Sequence, residues 1–127
     1  MDAIARWHDY VERREPALLE ALIAERAVFQ SPAVHTPQEG KALTIKYLSA
    51  AMIVLGAESF RYLGEWIGET SAVLEFEAEV DGLTVNGVDM IWWDEAGRIT
   101  RFKVMVRPLK ALHAVIERMR AELMRAG

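Results

Sequence analysis

The sequence contains no cysteine, four prolines and eight glycines among its 127 residues. The absence of cysteine excludes disulfides and thiolate chemistry. No basic stripe is present and the net charge is −4, which argues against a nucleic-acid partner. The longest apolar stretch, residues 50–57, is too short to span a bilayer. Because the first residues also lack a signal-peptide pattern, we expect a cytoplasmic protein without membrane contact.

The composition is that of an ordinary globular protein. Apolar residues make up 52% and charged residues 27% of the chain, a balance typical of a folded domain with a sizeable core. No repeat, low-complexity tract or linker interrupts the sequence. We therefore expect a single domain over residues 1–127.

Hydrophobic spacing predicts four helices and five strands. Helical periodicity covers residues 2–13, a segment opened by Pro16, residues 40–55 and residues 108–125. Alternation predicts strands at residues 27–30, 59–67, 71–81, 83–94 and 99–107. It places Tyr62 and Trp66 on one face of the second strand, with Phe60 and Gly64, and it places every second residue from Ala72 to Val80 on one face of the third. Asp81-Gly82 is a hairpin signal. Short hairpin connections between the last four strands imply an antiparallel sheet. The prediction is an α+β fold: a curved antiparallel sheet wrapped by N-terminal helices into a cone, with an additional C-terminal helix.

Asp89 is the most informative residue, because it interrupts an otherwise apolar strand. Alternation places it on one face with Val85, Gly87, Ile91 and Trp93. Burial raises the pKa of a carboxyl group, and a neutral carboxyl donates a hydrogen bond to a ligand oxygen. The alternatives are a place at the solvated rim or a structural ion pair on the neighbouring strand, with Arg101, Lys103 or Arg107.

His35 lies in a loop with two prolines, residues 31–39. Imidazole titrates near neutral pH, so His35 is a candidate general base to act with Asp89. The alternative is an ordinary surface histidine. The three histidines lie on different elements without the spacing of metal ligands, so we expect no metal site. No phosphate-binding glycine loop is present, and we expect no cofactor.

Aromatic residues are spread over the helices and strands, and most of them are expected in the core. A subset that lines a cavity would favour a flat, apolar ligand. We expect Tyr47 of the third helix, and Ile91 on the face of Asp89, to contribute to such a wall.

Together these features resemble the nuclear transport factor 2-like superfamily, which includes SnoaL-like polyketide cyclases and ketosteroid isomerases. The resemblance follows the order of elements over nearly the whole chain. Its most specific stretch is residues 88–99, VDMIWWDEAGRI, which looks like the hairpin leading into the last strand of ketosteroid isomerases. Residues 6–32 also align without a gap. The resemblance implies a conical pocket and frequent homodimers.

Individual positions follow from this resemblance. Asp89 falls on the aspartic acid that donates a hydrogen bond to the substrate oxyanion of the isomerases. The pocket-lining positions of the last strand fall on Phe102, Val104 and Val106. The position of the isomerase general base holds Ser31, and that of the isomerase tyrosine holds Trp7. Both are expected in the pocket, but these two changes weaken the expectation of steroid isomerisation.

Three functions remain open. The first is an enzyme of isomerase, cyclase or hydratase type that acts on a small apolar metabolite through Asp89 and His35. The second is a non-catalytic protein that binds a small apolar ligand, and the third is a dimerising interaction domain. The outward residues of the Asp89 strand, Val88, Met90 and Trp92, are apolar. We therefore expect a homodimer formed through the sheet face.

Overall fold

The computed structural model describes residues 2–126, which contain four helices and six strands. In chain order, the elements are α1 (Ala3–Arg13), α2 (Pro16–Leu22), β1 (Ile23–Gln30), β2 (Gln38–Glu39), α3 (Lys41–Leu55), β3 (Arg61–Ile67), β4 (Ser71–Val80), β5 (Leu83–Trp93), β6 (Ile99–Arg107) and α4 (Leu109–Arg125). This order confirms the predicted α+β architecture with its additional C-terminal helix.

The strands form one open sheet in the order β2-β1-β6-β5-β4-β3. The predicted meander from β3 to β6 is antiparallel throughout. The sheet as a whole is mixed, however, because β1 pairs with β6 in parallel. Hairpins dictate antiparallel neighbours, whereas β1 reaches β6 only through a long connection that leaves its direction free.

Strand β1 begins earlier than the sequence predicts. Ile23, which the helical spacing assigns to the stripe of the second helix, is the first residue of β1 and pairs with Ile99 of β6. Both isoleucines are fully buried. Their cross-strand contact favours the extended backbone that β-branched side chains prefer. The loop that follows β1 also contains the two-residue strand β2.

The hairpin between β4 and β5 is built as its sequence predicts. Asp81 and Gly82 adopt positive φ angles of 52° and 77°, which a two-residue turn between twisted strands requires. Glycine adopts such an angle freely, and aspartate tolerates it. This turn sets the register of the hairpin, in which Leu74 lies opposite Asp89.

The inner face of the sheet carries the core, and the helices lie against it. Helix α3 packs on β1 and β4, while α4 packs on α3 and on β4, β5 and β6. Every second residue of β4 is buried, as predicted: Ala72, Leu74, Phe76, Ala78 and Val80.

Strand β3 departs from simple alternation. Its register shifts between Tyr62 and Gly64, so Tyr62 lies opposite the inward Phe76 while Trp66 lies opposite the outward Val73. The expectation that Tyr62 and Trp66 share one face is therefore wrong. A bulge adds one residue to a strand and inverts the alternation beyond it. Trp66 is 61% exposed as a result.

The outward face of the sheet is partly apolar. Val88 of β5 pairs with Met105 of β6, which is 51% exposed, and Met90 of β5 pairs with Lys103. The guanidinium of Arg101 lies 4.9 Å from the ring centre of Trp92 on the same face. Residues 2–126 contain no helix with the length and apolarity that a bilayer crossing requires.

Candidate functional site

A cavity of about 290 Å³ lies between the inner face of the sheet and the helices. We call it the Asp89 cavity. Aromatic and aliphatic side chains form nearly all of its wall, which suits an apolar ligand. At the sheet side the wall consists of Phe29, Phe76, Asp89, Phe102, Val104 and Val106, and at the α1 and α3 side of Trp7, Tyr47, Leu48, Ala51, Met52 and Leu55.

The mouth of the cavity lies between the loop after β1 and the C-terminal half of α4. Val34 of the loop is 50% exposed and Met124 of α4 is 77% exposed, although both line the cavity. At the opposite end Trp7 and Phe102 are each 1% exposed. The lining against the sheet is therefore shielded from solvent, and the exposed part of the described lining lies at the loop after β1 and at α4.

Asp89 supplies the carboxyl group of the inner end. It is 6% exposed and its Oδ2 accepts a hydrogen bond from the Tyr62 hydroxyl at 2.5 Å. Burial raises the pKa of Asp89 to about 7, and the Tyr62 hydrogen bond opposes this rise because it favours the charged form. At neutral pH both the neutral and the ionised carboxyl are therefore populated.

Tyr62 and Trp7 hold this carboxyl in place. The Trp7 indole Nε1 donates a hydrogen bond to the Tyr62 hydroxyl oxygen at 2.8 Å. Burial raises the pKa of Tyr62 well above its usual value, and the charge of Asp89 raises it further. Tyr62 therefore stays protonated and donates a hydrogen bond to Asp89. The Trp7 ring also packs against Phe102, with ring centres 4.8 Å apart.

Gly87 makes room for the ring that lies beside Asp89. A Cβ atom at Gly87 would lie 2.5 Å from the Phe76 ring and 2.5 Å from the carbonyl oxygen of Met105. Both distances are far below van der Waals contact. The missing side chain thus allows Phe76 to cross β5 and form part of the wall.

Most residues predicted for the pocket lie at this cavity. They are Trp7, Ser31, Tyr47, Asp89, Phe102, Val104 and Val106. Ile91 does not line the cavity, because it is fully buried in the packed core two residues further along β5. The structure gives the positions of these residues at the cavity wall, and their roles in binding or catalysis remain predictions.

His35 does not line the Asp89 cavity. It is exposed and lines an adjoining, more open depression with Gln30, Lys103 and Leu112, and this depression shares residues 31–34, Val104 and Val106 with the cavity. The structure therefore does not bring together the predicted acid–base pair. Among the described residues that line the Asp89 cavity, Asp89 is the one carboxyl or imidazole group.

Tyr62 is the functional residue that sequence reasoning missed. The predicted alternatives for the partner of Asp89 were cations of β6, whereas the partner is a hydroxyl two strands away on β3. Its alternation with Phe60 was a usable signal for an inward side chain. The contact itself depends on the register of two hairpins.

No group of three or more metal-ligating side chains comes together within residues 2–126. The cavity wall also contains no cluster of polar groups that would hold a cofactor phosphate.

Comparison with solved structures gives clear relatives. A steroid Δ-isomerase from Pseudomonas aeruginosa is 36% identical, with a TM-score of 0.92 over 98% of this chain and 90% of that chain. An uncharacterised bacterial protein with a cystatin-like fold from Silicibacter pomeroyi is 31% identical, with a TM-score of 0.88 over 96% and 85%. A nuclear transport factor 2-like protein from Mesorhizobium loti, at 21% identity and a TM-score of 0.71 over 84% and 88%, shares the fold. No family model and no curated protein matches the sequence.

Proposed function

The chain belongs to the nuclear transport factor 2-like superfamily, and from that membership we propose that it binds one small, mainly apolar molecule in the Asp89 cavity. Asp89 donates a hydrogen bond to an oxygen atom of this ligand. The proposal depends on one observation: a buried carboxyl group, with a pKa of about 7, lies at the inner end of an apolar cavity.

The hydrogen bond from Tyr62 supports this role of Asp89. Since Oδ2 accepts the Tyr62 hydrogen bond, the proton of a neutral Asp89 is favoured on Oδ1. That proton is then available to a carbonyl or hydroxyl oxygen in the cavity. A ligand without such an oxygen would leave the carboxyl without a second partner inside a dry site, which costs binding energy.

We further propose that Asp89 transfers a proton, as an isomerase, cyclase or hydratase requires. An ionised Asp89 takes a proton from a carbon beside the ligand carbonyl, and the negative charge passes to the carbonyl oxygen. The neutral carboxyl formed in this way donates its hydrogen bond to that oxygen and then returns the proton to carbon. The 36% identity with a steroid Δ-isomerase favours chemistry of this kind. Ser31 and Trp7 occupy the positions of two isomerase catalytic groups, so the proposal places proton transfer on Asp89 and not on an Asp89–His35 pair.

The interaction-domain alternative has less support. Side chains would fill the cone of a protein that uses only its outer surfaces, whereas a volume of about 290 Å³ stays open here. Non-catalytic binding of an apolar metabolite uses the same contacts as the proposed enzyme. The two differ only in whether the bound molecule is altered.

The test uses a matched pair of probes, 2-acetonaphthone and 2-ethylnaphthalene, which differ in the carbonyl oxygen. We expect the wild-type protein near pH 5.5 to bind the ketone about tenfold more tightly, the effect of roughly one net hydrogen bond. Asp89→Leu should abolish this preference and keep the hydrocarbon affinity, while Glu95→Gln, a change of an exposed carboxylate, should leave both affinities unchanged. Protein NMR titration measures the affinities of the three proteins for the two probes. The proposal would be contradicted if Asp89→Leu preferred the ketone as strongly as wild type does, or if wild type bound neither probe.

Catalysis is tested separately by proton exchange. The methyl hydrogens of 2-acetonaphthone lie next to its carbonyl carbon. An enzyme of the proposed class should accelerate their exchange with deuterium from solvent. We expect the acceleration in wild type and its loss in Asp89→Asn. Binding of the ketone without acceleration would favour the non-catalytic alternative.

A further inference from the structure

The wall of the Asp89 cavity carries one acidic group and one basic group, at opposite ends. Asp89 is 6% exposed at the inner end. Arg120 lies on α4 at the mouth, where its side chain is 63% exposed. Among the described residues that line the cavity, Arg120 is the one cation. A ligand that fills the cavity from end to end therefore meets a hydrogen-bond donor inside and a positive charge at the opening.

Arg120 departs from the pattern of its helix. It follows Ile116 by four residues and precedes Met124 by four, so it lies on the row of α4 that lines the cavity. An apolar residue would extend this row. Its present partner is the exposed Glu117, whose Oε1 lies 3.0 Å from Arg120 Nη1. An exposed pair of this kind contributes little to stability and is readily exchanged for a ligand anion.

We propose that the natural ligand is an organic carboxylate: an apolar body with a carbonyl or hydroxyl oxygen at one end and a carboxylate at the other. The oxygen meets Asp89 and the carboxylate meets Arg120, whose guanidinium matches the two carboxylate oxygens. This inference names the substrate class of the proposed site and rests on the proposed function. It also predicts the direction of entry, with the carboxylate last.

The test uses 2-naphthyl ketones that carry a terminal carboxylate on chains of two to six methylene groups, each beside its primary amide. Titrations near pH 6 keep the carboxylates ionised and Asp89 mostly neutral. At the best chain length we expect wild type to bind the carboxylate about fivefold more tightly than the amide, as a partly exposed charge pair would give. Arg120→Gln should bring this ratio to about one.

Arg125→Gln is the matched control. Arg125 lies on the same helix and pairs with Glu122 three residues before it, as Arg120 pairs with Glu117, but it does not line the cavity. This variant should keep the wild-type ratio. A ratio near one in wild type at every chain length, or an unchanged ratio in Arg120→Gln, would overturn the inference. Loss of the preference for 2-acetonaphthone over 2-ethylnaphthalene would instead contradict the proposed function, so the two failures are distinguishable.

Discussion

The substitution Asp89→Asn should change the pH dependence of stability more than stability itself. Burial raises the pKa of Asp89 from 3.8 to about 7, so between these pH values the folded state holds a proton that the unfolded chain has released. Unfolding then releases a proton, and the free energy of unfolding falls as the pH rises through this window. Asparagine cannot ionise, and its amide oxygen still accepts the Tyr62 hydrogen bond.

The magnitude follows from the width of the window. Each pKa unit corresponds to about 1.4 kcal/mol, so the interval from about pH 5 to the folded pKa contributes at most roughly 3 kcal/mol. We therefore expect Asp89→Asn to gain up to this amount over wild type when both are moved from about pH 5 to about pH 8.5. If the new amide changes the free energy of unfolding by the same amount at both pH values, that amount cancels from this comparison. All other titrating groups are shared by the two proteins and cancel.

Urea unfolding at several pH values measures the effect. Glu95→Gln, which removes an exposed carboxylate, should show a profile parallel to wild type. A difference between Asp89→Asn and wild type that is the same near pH 5 and near pH 8.5 would refute the reasoning. It would mean that the folded carboxyl is ionised across this window, as in the unfolded chain, and the donor role at neutral pH would lose its basis.

Two further predictions concern Tyr62 and the sheet face. Tyr62→Phe removes the hydrogen bond that lowers the pKa of Asp89, so the midpoint of the pH–stability profile should move to higher pH. The unfolding free energy should fall by about 1–3 kcal/mol because two buried groups lose a partner; an unmoved midpoint would show that the bond is absent in solution. The outward apolar face of β5 and β6 is proposed to bury itself in a homodimer, so Met90→Lys should shift sedimentation equilibrium towards monomer. Ile53→Lys, at a residue 59% exposed on α3, should not, and a monomeric wild type at micromolar concentration would contradict the proposal.

Local patterns predicted the parts of the site that depend on one strand at a time. Alternation along β5 separated the face of Asp89 from that of Val88 and Met90, and the family resemblance placed Phe102, Val104 and Val106 in the pocket. Asp89 and these three residues all line the cavity. The hairpin signal Asp81-Gly82 correctly predicted the turn that sets the register of β4 and β5. Strand period and turn chemistry are local properties that the sequence displays directly.

The features that the sequence did not predict depend on contacts between residues that are far apart in the chain. His35 was expected near the cavity because its loop follows β1, but a loop's path depends on what it packs against and not on its own residues. Strand β1 joins β6 in parallel through contacts 76 residues apart, from Ile23 to Ile99. The bulge in β3 has no distinct sequence signal apart from Gly64, and it decides that Tyr62 faces inward while Trp66 does not.

The resemblance puts Trp7 at the position of the isomerase tyrosine, and this tryptophan favours one direction in the chain of hydrogen bonds that ends at Asp89. An indole nitrogen can only donate a hydrogen bond, so Tyr62 must accept from Trp7 and its own proton is directed to Asp89. A tyrosine at position 7 could accept as well as donate, which would leave the direction of this chain of hydrogen bonds undetermined. With tryptophan there, Asp89 Oδ2 accepts the Tyr62 hydrogen bond in this structure. Because Oδ2 already accepts this bond, a proton on the carboxyl is favoured on Oδ1.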